Sequence, residues 1–243
     1  MWLTPPESPT LEKAGSVHVW RAALDLGPEL LDKFRRTLAP DEAERAGWFY
    51  FPRDRDRFVA ARGLLRRILG LYLGRPPEAL GFVYGSKGKP SLADNDPRLQ
   101  FNVAHSHGLA LYAVALEREV GVDVEQIRAE LARERIAERF FSPAEVAALR
   151  AVPAEEQPAA FFRCWTRKEA FLKGCGKGLT FGLDQFTVSF TAAEPAAILA
   201  TPFDPGEASR WSLRHLDPGP GYAGALAVRG GIAEVRCWRC GRQ

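Results

Sequence analysis

The sequence predicts an α+β protein, and three observations carry that prediction. Stretches with a two-residue alternation and stretches with a helical period both occur, yet they do not follow one another in a regular strand–helix–strand rhythm, which argues against a doubly wound parallel sheet. The run Val120-Gly121-Val122-Asp123-Val124-Glu125 alternates without a break and is the most strand-like stretch of the chain. The 243 residues, 46% hydrophobic and 26% charged, supply apolar material for one large domain or two small ones, which excludes disorder as the main description.

Taken in order, Val17-His18-Val19-Trp20 reads as extended, Glu29 to Leu38 as helical, and Pro40-Asp41-Glu42 as a helix start. From Asp54 to Leu73 an amphipathic helix is expected. Phe58, Leu64, Leu65, Ile68, Leu69 and Leu71 recur on its inner side, Arg53, Arg55, Arg57, Arg62, Arg66 and Arg67 form a basic outer face, and Pro76-Pro77 ends it. Tyr84 to Pro90 is rich in turn residues, and two strands, Leu99 to Val103 and Leu109 to Leu116, flank a polar loop, His105-Ser106-His107-Gly108. Glu130 to Phe141 reads as a helix with Leu131 and Ile136 inward. Ser142-Pro143-Ala144-Glu145 is a capping box with proline at the first helical position, opening a helix to about Arg150. Pro158 opens another that runs through Lys173 and stops at Gly174. Beyond Gly178, Phe186, Val188 and Phe190 alternate, and a last strand pair lies near Trp211 to Leu216 and Tyr222 to Val228.

Lys plus Arg number 33 against 30 Asp plus Glu, a net charge of +3, so the chain is not a general polyanion binder and any anion site must be local. Of 7 lysines, five (Lys87, Lys89, Lys168, Lys173, Lys177) fall in two short segments. Either this is chance in an Arg-biased composition, or those segments need a compact point charge, as phosphate sites often do. No apolar run approaches the ~20 residues of a spanning helix, and the first residues carry neither the basic nor the apolar region of a secretory signal. A cytoplasmic protein without membrane contact is therefore expected. Four cysteines do not make a disulfide scaffold. Cys164 is expected to be a buried apolar residue, and Cys237 and Cys240, a C-x-x-C without a second pair, free thiols near a frayed end.

Asp123 and Glu125, two apart on a strand, share a face opposite Val120, Val122 and Val124. Their repulsion needs either solvent, as on an exposed edge strand, or a cation. In the helix opened by Pro158, Phe161, Trp165 and Leu172 form an apolar stripe, while Glu169 and Lys173 lie one turn apart on a neighbouring face. Those two are a surface ion pair or, with the glycine-rich basic run Lys173-Gly174-Cys175-Gly176-Lys177-Gly178, part of a phosphate site. Three carboxylates and a lysine suit Mg2+-assisted chemistry at a phosphate.

Gly121-Val122-Asp123-Val124-Glu125, then Phe140-Phe141-Ser142 and Trp165-Thr166-Arg167-Lys168-Glu169-Ala170-Phe171-Leu172-Lys173, resemble the paired signature of the 4'-phosphopantetheinyl transferases of the surfactin-activating (Sfp) type. Gly88-Lys89-Pro90 and Phe101-Asn102-Val103-Ala104-His105-Ser106 resemble its upstream motifs, so the likeness covers roughly Pro40 to Phe190. The resemblance implies two similar α/β subdomains related by a pseudo-twofold axis, here residues 1–117 and 118–243, with coenzyme A between them. It implies transfer of the phosphopantetheine arm to a serine of an apo acyl or peptidyl carrier protein, Mg2+ as cofactor, and a monomer. Asp123, Glu125 and Glu169 match the metal ligands, with Glu169, Lys173 and Asp123 carrying the catalysis. Arg45, Arg57, Lys89, His105 and Lys173 match residues that hold the coenzyme. Arg62 either reaches the adenosine end or sits on the helix surface. Ala104 replaces a serine or threonine of the family, and Arg45 a common lysine. His105 and His107, on a loop without a third ligand nearby, are not read as a metal pair, and His105 is read as a phosphate contact. Arg133, Arg135 and Arg139, ahead of Phe140 and Phe141, are expected at the rim of the carrier site. The competing classes are a Mg2+-dependent nuclease, which would want a Glu-x-Lys close after the acidic pair, and a nucleic-acid binder using the arginine-rich helix.

Overall fold

The computed structural model describes residues 1–11, 15–93, 98–130, 134–176, 178 and 181–240. It is built of strands β1 (Ser16–Ala23), β2 (Phe82–Tyr84), β3 (Pro90–Leu92), β4 (Leu99–Ser106), β5 (Leu109–Leu116), β6 (Val120–Gln126), β7 (Thr187–Val188), β8 (Ile198–Ala200), β9 (Trp211–Leu216), β10 (Tyr222–Arg229) and β11 (Glu234–Arg239). The helices are α1 (Pro28–Arg35), α2 (Pro40–Gly47), α3 (Pro52–Leu73), α4 (Glu134–Phe140), α5 (Pro143–Ala151) and α6 (Gln157–Cys175). The α+β class holds. The order strand, two short helices, one long helix, a short hairpin and an antiparallel strand pair occurs twice, once from β1 to β5 and once from β6 to β10. Arg118 lies in the connection between the two runs.

Proline opens α1, α2, α3, α5 and α6 in the first turn, where its missing N–H costs no intrahelical bond. The two long helices end on glycines in the left-handed region, Gly74 with φ 61° and Gly176 with φ 65°. So α3 stops two residues ahead of Pro76, and α6 runs through Gly174 instead of ending there.

Each long helix covers one face of a sheet, and the two sheets cover each other. The first sheet has the order β11-β1-β5-β4, the second β6-β10-β9. Leu64, Leu65, Ile68 and Leu69 of α3 pack with Trp20, Phe101, Tyr112 and Val114. Phe161, Ala170, Phe171 and Leu172 of α6 pack with Leu213, Ala223, Ala225 and Ala227. Between the sheets, Val120, Val122 and Val124 meet Val17, Val19, Ala104, Leu111 and Ala113. Ala104 is thus committed to the inter-sheet core.

Several expectations are corrected. His105 and Ser106 belong to β4, and the turn is only His107-Gly108, with His107 at φ 53°. On β4 Phe101, Val103 and His105 face α3 and the cleft beneath it, while Asn102, Ala104 and Ser106 face β6. α4 begins at Glu134; Leu131 and Arg133 lie outside the described residues. Arg62 and Arg66 are buried and do not belong to an outer basic face, because Glu42 of α2 draws both inward. The tail is not frayed through Cys240: β11 pairs parallel to β1 from Ser16↔Glu234 to Arg21↔Arg239, and Cys240 N donates to Arg21 O at 2.9 Å. The last strand of residues 118–243 therefore completes the sheet of residues 1–117. Cys237 packs on the inter-sheet side and Cys240 on the α3 side, so the C-x-x-C cannot act as a pair; all four cysteines are free thiols, Cys164 fully buried. No helix of the described residues is long and apolar enough to cross a membrane.

Candidate functional site

Two glycines bring β6 against α6. A Cβ on Gly121 would overlap Ala170 O and Gly174 N and stand 2.8 Å from Gly174 Cα, and one on Gly174 would stand 2.6 Å from Trp211 Cζ3. With no side chain at either position, the strand and helix backbones touch. The residues that flank the contact, Asp123 and Glu125 on β6 and Glu169 and Lys173 on α6, are thereby pressed together.

Asp123 is buried, so it is not the polar face of an exposed edge strand. Its Oδ1 accepts from Lys173 Nζ at 2.6 Å, while its Oδ2 and Glu169 Oε1 are buried without a hydrogen-bond partner among the described residues. Glu125 Oε2 accepts from Ser106 Oγ at 2.7 Å, which itself accepts from Gln126 N at 3.1 Å. Burial pushes the Asp123 carboxyl up to about 6, with Lys173 opposing and Glu125 adding to the rise. Burial, then Asp123, push Glu169 up to about 7. Burial alone would lower Lys173, but Asp123 first and then Glu169 and Glu125 hold its ammonium above the ordinary value. Glu169 and Lys173 are therefore not an isolated surface pair.

A cleft of about 730 Å³ opens beside this cluster between α3, the β2–β3 hairpin, β4 and the end of α6. Arg45, Arg57, Arg62, Lys89, His105 and Lys173, which the sequence singled out from scattered positions, all line it. Asp123, Glu125 and Glu169 do not; they stand behind Lys173. Arg45 lies over the Phe58 ring, its Cζ 5.5 Å from the centroid. Partial burial lowers the His105 imidazole, and Lys173 and Arg45 add to the effect, leaving it neutral near pH 7.

Four of these cations are already engaged: Lys173 by Asp123, Arg57 by Asp25, and Lys89 and Arg62 as follows. Lys89 Nζ donates to Gly174 O at 2.9 Å and Val120 O at 3.2 Å, crossing from the first run of elements to the second, which leaves one of its three N–H bonds for a ligand. Arg62 donates to Glu42 and, at 2.7 Å, to Tyr84 Oη, with its Cζ 4.8 Å from the Phe82 centroid. It is neither on the helix surface nor an unengaged cation. Arg66 shares Glu42 and also donates to Leu80 O at 2.7 Å and Pro77 O at 3.0 Å. Sequence reasoning took Glu42 only as a helix-start residue; its Oε2 does accept from Ala39 N, but it also ties α2, α3 and the β2–β3 hairpin together.

Of the five clustered lysines, Lys87 lines the cleft and Lys177 lies outside the described residues. Lys168 is fully buried, paired with Glu145 at 2.8 Å and donating to Leu183 O at 2.7 Å and to Phe186 O, so it serves the core and not a phosphate. Phe141 is buried and Phe140 half-buried against Trp165 beneath Arg139, whose Cζ is 5.2 Å from the ring; Arg135 and Arg139 are exposed. With Arg62 and Arg66 turned inward, α3 presents less of the basic face that nucleic-acid binding would use.

No group of three described His, Cys, Asp or Glu side chains closes into a ready cation cage. The donor set nonetheless suits a hard cation: two carboxylate oxygens are orphaned in a buried acidic cluster, and Lys173 supplies the nearest positive charge. The arrangement can hold an anion in a cationic cleft, accept a proton near neutral pH at Glu169, and present an ammonium at the junction of the two.

Comparison with known proteins identifies relatives of the chain. Residues 28–117 match the family model described as 4'-phosphopantetheinyl transferase, N-terminal, and residues 119–227 that of the 4'-phosphopantetheinyl transferase superfamily. The 4'-phosphopantetheinyl transferase HetI of Nostoc sp. is 41% identical over 98% of this chain and 97% of its own length. The 4'-phosphopantetheinyl transferase Sfp of Bacillus subtilis is 31% identical over 67% of this chain and 71% of its own. With both runs of elements matched and one relative aligned almost end to end, the chain belongs to the 4'-phosphopantetheinyl transferase superfamily.

Proposed function

We propose that the chain transfers the 4'-phosphopantetheine arm of coenzyme A to the serine of an apo acyl or peptidyl carrier protein, with Mg2+ as cofactor, releasing adenosine 3',5'-bisphosphate. The observation that carries this reading is the buried acidic cluster with two unpartnered oxygens, Asp123 Oδ2 and Glu169 Oε1, at the edge of a cleft lined by Arg45, Arg57, Lys89, His105 and Lys173. Asp123, Glu125 and Glu169 are the residues that would hold Mg2+, which when bound supplies positive charge against the diphosphate.

The remaining chemistry belongs to the chain itself. The cationic wall binds the coenzyme's phosphates, and a phosphate arriving at His105 favours the protonated imidazole that burial, Lys173 and Arg45 otherwise oppose. Glu169 accepts the proton of the carrier serine directly or through one water. The serine Oγ then forms its bond to the β-phosphorus as the bond from that phosphorus to the bridging oxygen breaks, and the negative charge leaves on adenosine 3',5'-bisphosphate. The Lys173 ammonium stabilises that departing charge.

The test is intact-mass measurement of several apo carrier proteins incubated with the enzyme, coenzyme A and Mg2+. One phosphopantetheine arm added per carrier is expected with the wild type. It should disappear with EDTA and with Asp123→Ala or Glu169→Ala. Modification undiminished in either variant at millimolar Mg2+ would remove the cluster from the reaction.

A further inference from the structure

We propose that Asp25 is a positioning residue, holding Arg57 so that the coenzyme's phosphate meets a guanidinium already oriented in the cleft. This rests on the reading of the cleft given above. Asp25 follows β1 and approaches Arg57 of α3 in a two-point fork: Oδ1 accepts from Nε at 2.6 Å and Oδ2 from Nη2 at 2.9 Å. Such a fork fixes the plane of the guanidinium as well as its place. It also uses one edge of the group, so Nη1 is left to the cleft that Arg57 lines. Asp25 does not itself line the cleft, and its effect on a ligand would pass through Arg57.

The β4–β5 turn makes room for this fork. Gly108 stands where a Cβ would come 2.6 Å from Asp25 Oδ2 and 3.4 Å from Arg57 Nη2, and Gly108 O accepts from Leu24 N at 2.8 Å, tying the turn to the end of β1. The left-handed His107 completes that turn and also lines the cleft. Three separate elements therefore converge on one side-chain geometry. The hydrogen bond from Arg57 holds the Asp25 carboxyl below its ordinary range, and the same bond holds Arg57 above its own, so the pair stays ionised at neutral pH. The Asp25 side chain is 60% exposed, against 18% for Arg57, so the carboxylate approaches the guanidinium from the solvent side.

The sign of the effect separates positioning from simple charge. A carboxylate next to an anion site repels the anion, so removing its charge alone would tighten coenzyme A binding. Loss of an oriented guanidinium would weaken it. The experiment is a double-mutant cycle with Asp25→Asn, Arg57→Ala and the double variant, reading KM for coenzyme A and kcat at a saturating apo carrier protein, with thermal unfolding as a fold control. Asp25→Asn is expected to raise KM by about threefold to tenfold with kcat within about twofold. Arg57→Ala should raise it at least as much, and Asp25→Asn should add nothing in the Arg57→Ala background. An unchanged or lowered KM in Asp25→Asn, or full additivity in the double variant, overturns the assignment of Asp25 and leaves Arg57 in place. An unchanged KM in Arg57→Ala overturns the phosphate role of Arg57 and this inference with it.

Discussion

Replacing Glu169 by Gln should stabilise the metal-free protein while abolishing transfer. Glu169 is raised from an ordinary 4.5 to about 7 by burial and by Asp123. A raised folded-state pKa means that folding is favoured most below about 4.5, where both states bind the proton. Stability is then lost as pH rises through 7, because the unfolded chain ionises where the folded one resists. At 1.36 kcal/mol per pKa unit, the cost of ionising Glu169 in the fold reaches about 3 kcal/mol at pH 8 and falls below about 1 kcal/mol at pH 5. Asp123, raised to about 6, draws on the same repulsion, so its cost does not add in full. Glutamine keeps the shape and removes the charge. Urea unfolding in EDTA at pH 5 and pH 8 reads the difference, with Glu169→Gln expected to be more stable than wild type by about 1–3 kcal/mol at pH 8 and nearly equal to it at pH 5. A variant no more stable than wild type at pH 8 would refute the claim that the site is electrostatically strained without a cation.

Gly121→Ala should lower stability by about 1–3 kcal/mol or more and abolish transfer, because its methyl group meets helix backbone and not a movable side chain; urea unfolding and the carrier mass assay check it. Glu42→Ala should cost about 3–5 kcal/mol in the same unfolding assay, since it leaves Arg62 and Arg66 buried without their carboxylate. Lys173→Ala should lower kcat more than it raises KM for coenzyme A, whereas Lys89→Ala should mainly raise KM, and steady-state kinetics showing the same balance in both would undo this division of roles.

What the sequence makes legible is what local rules govern. Prolines mark the helix starts, and the alternation around Asp123 marks a strand whose valines face one way and whose carboxylates face the other. What it hides is pairing over distance. Arg62 and Arg66 look like surface residues because arginine usually is one, and nothing local shows that Glu42, some twenty residues earlier, takes both. Lys168 is hidden in the same way by Glu145, whose capping role is legible but whose second oxygen is also used by Val188 N at 2.7 Å.

The misplaced end of β4 has a further lesson, because the same cause produced the error and the site. Leu99, Phe101 and Val103 continue on one side of the strand to His105, and Asn102 and Ala104 continue on the other to Ser106. The period is unbroken. It reads as a polar loop only because the last residue on each side has left the apolar core: His105 opens into the cleft, and Ser106 reaches Glu125. A binding cleft that a strand end walls needs that end polar where the core stops, so hydrophobic patterning fails where the site begins. β11 fails for a related reason. Its residues are mostly half-buried at a sheet edge, and its partner β1 lies at the other end of the chain, so neither alternation nor proximity announces it. The segment that closes the first sheet and the strand end that opens into the cleft are thus the least legible elements of the sequence, and in both cases the missing information is a contact made with residues far away along the chain.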